Sequence, residues 1–376
     1  MRKLGERSVT RTRQSGVLAF FLGPRSVARV SRRRIQALES ELALKSLRNT
    51  AGRILICRPN SRLGNTLLVT PLVQEIEARF PRAQVDILSS CSDASEIFRE
   101  FSCVRTVYQL PRRGARYPLT HLRTFLRACS VRYDVVIDPD PISWTSRFMT
   151  RLLRGRIKIG FLSGVKTRGT HISIPFEHAP AHMGSYPVYL FRRAVSGFDE
   201  DVVAPAVPKL SIRLTYTERA YGQRQMRQLI AAPDRGPIVA VGAAGTGAKQ
   251  FSVDWWREML KSLAERLPSA QIVEIRPPSG IASFPEYPGY SSPRVRHVAS
   301  VIEAADCFVC ADSGLMHLGS ATDTATVGLF KVTDPRMYAP YGGANVGITA
   351  AEDAAPLVAA HVARLLAEDL RARLPV

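Results

Sequence analysis

The chain has 376 residues, of which 45% are hydrophobic and 22% are charged. This composition is typical of an ordered globular protein and excludes a disordered chain, while the length favours two domains over one. The 52 Lys and Arg residues outnumber the 32 Asp and Glu residues, which gives a formal net charge of +20.

Much of this charge lies in residues 1–52, which are predicted to form a basic extension that is either disordered or bound to an anionic membrane surface. Residues 1–53 hold 13 Lys and Arg but 3 Asp and Glu. An apolar run at 15–23 is far too short to span a bilayer and is also short for a secretory signal. No nucleic-acid-binding motif accompanies the charge, so no specific nucleic-acid partner is expected.

From residue 53 onward, apolar strands alternate with amphipathic helices. Strands are predicted at 53–58, 84–90, 133–139 and 156–161, and a helix at 66–80 with a kink at Pro71. Strands separated by helices predict a mostly parallel sheet with helices on both faces.

The pattern restarts in the second half, after a less regular stretch that includes a predicted helix at 217–230. Strands are predicted at 237–243, 271–275, 307–310 and 326–330. Helices are predicted at 253–267, with Ser252 as N-cap, at 300–306 and at 353–372.

The resulting fold class is α/β, with two Rossmann-like domains that face a ligand-binding cleft. The predicted division is the extension 1–52, an N-terminal domain 53–205, a linker 206–234, a C-terminal domain 235–350 and a final helix 351–376.

The six cysteines form no regular framework, which indicates a reducing compartment. Cys307 and Cys310 form a lone CxxC inside an apolar run, with no second Cys or His pair at metal-site spacing. They are therefore expected to be small core residues, and no metal site is predicted.

Three distant segments each follow a strand, and each has features suited to a phosphate group. The first, 58–72, passes Gly64 and enters a helix, and the second, 242–256, is a Gly/Ala/Thr loop with Lys249 before a helix. The third, 312–321 (DSGLMHLGSA), turns into a short helix. Glycines let the backbone approach a diphosphate, and lysine and free helix N–H groups attract its charge.

Together these segments resemble the lipopolysaccharide heptosyltransferases, glycosyltransferase family 9. The family's SxxGD segment corresponds to SRLGN at 61–65, and its loop lysine to Lys249. Its [ND]D[ST]GxMH segment corresponds to DSGLMH at 312–317, followed by LFKVTDP at 329–335. The resemblance extends over residues 53–350.

The resemblance implies a GT-B type architecture and inverting sugar transfer from a nucleotide-diphosphate sugar, usually ADP-heptose. The donor would bind mainly to the C-terminal domain, and a glycolipid or other surface glycan would be the acceptor. The family needs no metal and no other cofactor. A cytoplasmic protein is expected, with the basic extension docking it at the inner face of the cytoplasmic membrane.

Specific residues follow from the matched motifs. The departing diphosphate needs stabilisation, for which Lys249, the Thr246–Gly247 backbone and the N–H groups after Asp312 are candidates. The resemblance also implies donor contacts by the following residues: Gly64, Asp312, Ser313, Gly314 and His317. Each has a structural alternative, since Asp312 could cap its helix, His317 could be a satisfied half-buried histidine, and Lys249 could be a surface lysine.

Asn65 departs from the family, which usually has an aspartate there as the proposed general base. An amide cannot take up the acceptor's proton near neutral pH. Asp138 and Asp140 could replace the base, because they follow a strand that ends at the expected cleft, although a strand-terminal turn also explains them. Alternatively, Asn65 orients the acceptor while solvent or phosphate takes the proton, or the chain binds the donor without turning it over.

Two other functional classes explain the sequence less well. A nucleic-acid-binding protein is suggested by the pI near 10.3 alone. A dinucleotide-dependent oxidoreductase is disfavoured because Gly242, Gly245 and Gly247 do not fit GxGxxG spacing. The sequence does not identify the sugar or the nucleotide base.

Overall fold

The computed structural model describes residues 52–164, 166, 169–196, 206–230, 236–245, 247–351 and 354–373. Thr246 and all but the last residue of the predicted basic extension therefore lie outside the described residues. Within these ranges, no helix combines the length and apolar character needed to cross a membrane. The same ranges contain no group of three or more His, Cys, Asp or Glu side chains arranged to hold a metal ion.

The first half of the chain is built on a six-stranded sheet in which neighbouring strands pair in parallel. Its elements are β1 (Arg53–Arg58), α1 (Leu63–Leu67), α2 (Thr70–Arg79), β2 (Gln84–Ser89), α3 (Ala94–Phe98), β3 (Val104–Gln109), α4 (Pro118–Ser130), β4 (Tyr133–Asp138), α5 (Trp144–Leu152), β5 (Gly155–Leu162), β6 (Ile172–Pro175) and α6 (Ser185–Ser196). The strand order is β3-β2-β1-β4-β5-β6, so the winding direction reverses between β1 and β4. Ligands of such sheets bind beyond the carboxyl ends of the strands at this reversal.

The second half repeats the arrangement. Its elements are α7 (Tyr216–Leu229), β7 (Ile238–Gly242), α8 (Val253–Arg266), β8 (Gln271–Ile275), β9 (Gly289–Tyr290), α9 (Val295–Glu303), β10 (Cys307–Ala311), α10 (Gly314–Ser320), β11 (Ala325–Phe330), α11 (Pro335–Tyr338), β12 (Val346–Thr349) and α12 (Ala355–Arg373). The strand order β12-β11-β10-β7-β8-β9 places the reversal between β7 and β10. The predicted fold class, α/β with two Rossmann-like domains, is confirmed.

The central strands are apolar because helices cover both faces of each sheet. All five residues of β10 are buried, including Cys307 and Cys310, which are free thiols in the core as expected. Burial also raises the pKa of the Cys310 thiol well above its ordinary value, so this thiol is inert.

Two predicted helices have different bounds in the structure. The helix expected at 66–80 is divided into α1 and α2. Pro71 lies in the first turn of α2, where a backbone N–H has no acceptor within the helix, so a proline costs no hydrogen bond there. The helix expected at 300–306 is α9, which begins at Val295 and ends at Glu303.

The predicted domain boundaries stay predictions, but two helices near them have clear packing partners. Helix α7, inside the predicted linker, packs against α9, and the C-terminal helix α12 packs against α8. The buried side chain of Arg296 joins the halves, because it pairs with Glu218 of α7 and donates to the backbone oxygen of Glu96 in α3. Burial alone would raise the pKa of Glu218, but Arg296 and the Thr215 backbone N–H lower it to about 2.

Candidate functional site

A cavity of about 710 Å³ lies between the two halves, at the carboxyl ends of the central strands. This volume is in the range of small-molecule sites. The cavity brings together most of the predicted site residues: Gly64, Asn65, Asp140, Lys249, Asp312, Ser313, Gly314 and His317. Gly247 does not line the cavity but lies two residues before Lys249, in a short 3₁₀ turn. Thr246 lies outside the described residues.

Lys249 lies at the wall contributed by the second half, held by Asp312. Its Nζ is 2.7 Å from Asp312 Oδ2, and the Lys249 side chain is 33% exposed whereas that of Asp312 is 4% exposed. The ammonium group also lies 5.7 Å from the centre of the Tyr338 ring. The buried carboxylate therefore fixes a partly exposed cation at the cavity wall. Asp312 does not cap α10, because the N-cap residue is Ser313.

The turn after β10 also offers a hydrogen-bonding group to a ligand. Ser313 Oγ is buried and has no hydrogen-bond partner among the residues that the structure describes. Buried polar atoms without partners are rare in folded proteins and often mark a bound ligand or water. Ser313 is therefore a candidate ligand contact on the same wall as Lys249.

Helices α1 and α10 meet below the cavity with almost no space between their backbones. A β carbon at Gly64 would lie 2.5 Å from His317 Cδ2, and one at Gly314 would lie 3.1 Å from Leu63 Cβ. Real β carbons are not found at the shorter of these distances, so a side chain at Gly64 would force the His317 ring or α1 to move. Close helix packing therefore explains Gly64 at least as well as phosphate binding does.

His317 is buried, and this lowers the pKa of its imidazole to about 4; Asp312 opposes the shift, while His182 and Lys249 add to it. The ring is therefore neutral near pH 7. It can donate one hydrogen bond and accept another but cannot supply a positive charge to a phosphate.

This buried histidine is expected to make the protein less stable in mild acid. The unfolded chain binds a proton at His317 below pH 6.5, whereas the folded chain binds it only near pH 4, so stability is lost as the pH falls between these values. The full effect is about 3 kcal/mol. Urea unfolding at pH 7 and pH 5 measures the loss of unfolding free energy between the two pH values. This loss should be smaller for His317→Asn than for the wild type. The exposed His178→Asn variant should behave as the wild type, and equal losses in all three proteins would contradict the assignment.

Asp140 lines the cavity from the first half and is held on both oxygens. Its Oδ1 accepts the backbone N–H groups of Ile142 (2.8 Å) and Ser143 (2.7 Å), and its Oδ2 pairs with Arg58. Burial alone would raise the pKa of Asp140, but Arg58, these N–H groups and Lys166 hold it below its ordinary value. Asp140 is therefore an ionised carboxylate in a fixed orientation at the cavity wall.

Asp138 does not occupy the position expected for a base. Its side chain is fully buried and does not line the cavity. It accepts hydrogen bonds from Arg147 Nε at 2.8 Å, Ser146 Oγ at 2.7 Å and Lys166 Nζ at 3.0 Å. The residue ends β4 with its side chain toward α5, so it neutralises two buried cations instead of meeting a substrate.

The cavity also contains residues that were not named as site residues from the sequence. Its walls have four Lys and Arg side chains against two carboxylates, which favours an anionic ligand. The additional lining residues with the clearest chemical roles are Arg58, Arg62, Arg112 and Tyr338. Arg58 and Arg62 lie in the first predicted segment and could have been inferred from it, whereas the loop that carries Arg112 gave no such signal.

Comparison with known proteins agrees with the motifs. The model of glycosyltransferase family 9 (heptosyltransferase) matches residues 294–363, which include Ser313 and His317. Lipopolysaccharide heptosyltransferase 3 of Escherichia coli strain K12 is 22% identical over 306 residues, which cover 74% of this chain and 82% of that protein. The resemblance predicted from the three segments is thereby confirmed.

Solved structures have the same fold. The structure of E. coli heptosyltransferase WaaC with ADP superposes with a TM-score of 0.62 at 20% identity, covering 84% of this chain and 99% of that one. The structure of E. coli ADP-heptose lps heptosyltransferase II gives a TM-score of 0.65 at 16% identity, covering 85% and 99%. These likenesses support the two-domain architecture.

Proposed function

We propose that this chain, a glycosyltransferase of the family 9 type, transfers a heptose or related sugar from a nucleotide-diphosphate sugar to a surface glycan. ADP-heptose is the first candidate donor and a lipopolysaccharide-type glycolipid the first candidate acceptor. The observation that carries the proposal is the cavity between the halves, where Lys249 and Ser313 face Asn65 and Asp140. The similar WaaC structure was solved with ADP, which supports an adenine nucleotide as donor.

On the donor side, the residues are suited to a leaving diphosphate. In an inverting displacement the acceptor oxygen bonds to the anomeric carbon while the bond from that carbon to the diphosphate oxygen breaks. Negative charge grows on the leaving group, and the Lys249 ammonium meets it while Asp312 holds the amine in place. Neutral His317 and the Ser313 hydroxyl add hydrogen bonds. Protein cations supply the positive charge, so the proposal includes no metal or other cofactor.

On the acceptor side, Asp140 is the candidate for the missing carboxylate. It is the cavity-lining carboxylate that is not paired with Lys249, and its lowered pKa keeps it ionised. A carboxylate with a low pKa is a weak base, so it takes the acceptor proton late, when the new glycosidic bond is largely formed. Asn65 lies on the same wall and orients the acceptor hydroxyl.

The direct test is to incubate the purified protein with ADP-heptose and an acceptor glycolipid, and to measure ADP release and glycolipid mass. The proposal expects ADP release that depends on the acceptor, with one sugar added. Tight ADP binding without release from several donors would instead support the second candidate, a nucleotide-sugar-binding homologue that does not turn over. Asn65 is the observation that favours this alternative.

Asn65→Asp is expected to raise kcat at least about tenfold, because a positioned general base contributes about 10²–10⁴ to such reactions. Steady-state kinetics with saturating donor measures the effect. Asn60→Asp is the matched control, since Asn60 lines the same cavity and the variant adds the same charge elsewhere. A similar gain in both variants would show that added charge, and not a base at residue 65, is responsible.

A cytoplasmic location next to the inner face of the cytoplasmic membrane goes with this function. A lipid-linked acceptor is held at that surface, and the basic residues 1–52 suit its anionic headgroups.

A further inference from the structure

Helices α4 and α5 cover the outer face of the first sheet. Ala128 of α4 and Met149 of α5 pack into one buried cluster on β1 and β4. Helices α2 and α3 lie on the opposite face, in the core that includes residues of the second half. The remaining sides of α4 and α5 have no covering element in the described part of the chain.

These uncovered sides carry large apolar residues at helical spacing. Six side chains, each at least 50% exposed, form what we term the α4–α5 apolar face: Leu119, Leu122 and Leu126 of α4, and Trp144, Phe148 and Leu152 of α5. Intervals of three and four residues place each set on one side of its helix. Leu119 is 75% exposed, Trp144 65% and Phe148 63%. Clustered exposed apolar side chains of this kind mark a contact surface.

The two segments that carry the helices of this face are basic, and three aspartates, Asp134, Asp138 and Asp140, lie between them. Residues 101–133 contain seven arginines and no acidic residue, and residues 141–176 contain seven Lys and Arg and no acidic residue. A crevice of about 460 Å³ at the start of α4 is lined by Pro111, Arg112, Arg113, Arg116 and Tyr117. Arg112 also lines the central cavity, so the basic crevice adjoins the acceptor side of the site.

We propose that the α4–α5 apolar face lies on an anionic lipid bilayer. The six apolar side chains would enter the boundary between headgroups and acyl chains, and the flanking arginines would contact lipid phosphates. A second copy of this chain, or its own basic residues 1–52, would bring positive charge against positive charge. An anionic surface complements both the charge and the apolar residues.

This contact rests on the proposed membrane location and deepens it by naming the surface that meets the lipid, while the vesicle tests require neither donor nor acceptor. It also orients the enzyme. Ile142 and Ser143 line the cavity and directly precede Trp144, so a bilayer-bound α4–α5 face places the cavity entrance next to the lipid headgroups.

Trp144 is a built-in reporter of the contact. The chain has three tryptophans, and the other two, Trp255 and Trp256, are buried in the second half. Adding vesicles of equal parts phosphatidylglycerol and phosphatidylcholine to the full chain should shift the Trp144 emission to shorter wavelength. Brominated acyl chains should quench it. Neither change should occur in Trp144→Phe, and raising the salt should weaken both in the wild type.

Flotation with the same vesicles tests the apolar contribution. Leu122→Ser with Phe148→Ser should lower the partition coefficient by about tenfold or more, since it removes two inserted side chains. The matched control is Tyr216→Ser with Leu357→Ser, which replaces side chains that are 86% and 74% exposed in the second half and should bind as the wild type. Thermal unfolding of both double variants checks that they fold.

Three results would overturn the proposal. The first is flotation of the wild type with no change in Trp144 emission, which would place the membrane contact elsewhere, such as residues 1–52. The second is equal flotation of the two double variants. The third is a dimer, detected by sedimentation equilibrium, that is lost in Leu122→Ser with Phe148→Ser, which would identify a second copy as the occupant.

Discussion

Lys249→Ala is expected to lower kcat/KM by about 10²–10³, the range found when a preorganised charge or donor to a developing anion is removed. The Lys249 amine is held at the cavity wall by buried Asp312, so its orientation is fixed before the donor binds. Steady-state kinetics and ADP titration measure the loss in turnover and in diphosphate affinity. Lys261→Ala, an exposed lysine of α8, is the control and should be silent.

Lys249→Ala also leaves Asp312 buried without its cation, which by itself lowers stability. The double variant Lys249→Ala with Asp312→Asn separates the two effects, because it removes the unpaired charge but does not restore the amine. The expected result is a stability close to that of the wild type, with activity still low. Wild-type ADP affinity and turnover in Lys249→Ala would remove this residue from the site.

Asp140→Asn is expected to lower kcat by about 10²–10⁴ while leaving ADP affinity unchanged, because it removes a base on the acceptor side. The variant should fold, since an amide oxygen can still accept the N–H groups of Ile142 and Ser143. The pKa of Asp140 lies below 3.8, its ordinary value, so the carboxylate is ionised at every pH well above 3.8. This residue should therefore add no pH dependence of kcat between pH 5 and pH 8.

Asp138, two residues before Asp140, provides a contrasting variant, Asp138→Asn. It would leave Arg147 and Lys166 buried with less negative charge, and breaking such a buried pair costs about 3–5 kcal/mol. Asp138→Asn should therefore lose more stability in urea unfolding than Asp140→Asn, which weakens the pair with Arg58 alone, whereas Asp140→Asn should lose turnover. Full turnover in Asp140→Asn would show that solvent or a donor phosphate takes the proton.

Much of the fold is predictable because its central strands are continuous apolar runs and its main helices have strong signals. The helix predicted at 253–267 is α8, at Val253–Arg266, and Ser252 caps it by accepting the Trp255 N–H. The sequence gives weaker evidence for β3, which is half-exposed at the sheet edge, and for α4, in which Ala128 alone is buried. Strand β3 lacks a clear alternation, and the apolar residues of α4 have helical spacing but lie mostly on its exposed side, so they do not indicate a core-facing helix.

The candidate site also has residues that the sequence predicts and residues that it does not. Lys249, Ser313 and His317 belong to motifs, so their meeting in one cavity could be expected from the sequence. Asp138 and Asp140 could not be distinguished, because their difference depends on where β4 ends and on the buried partners that α5 brings to Asp138. Tertiary packing alone places Arg112 in the cavity.

The contact between α1 and α10 has a consequence for motion. With the Gly64 backbone against the His317 ring, and the Gly314 backbone against Leu63, the two halves already touch below the cavity. We expect this contact to favour rotation about α1 and α10 over separation of the halves when the cleft opens. Its outer rim then widens most, while Lys249 and Asn65, close to the pivot, change their separation least. Substrates would enter and leave at the rim, and the reacting groups would keep their spacing throughout the cycle.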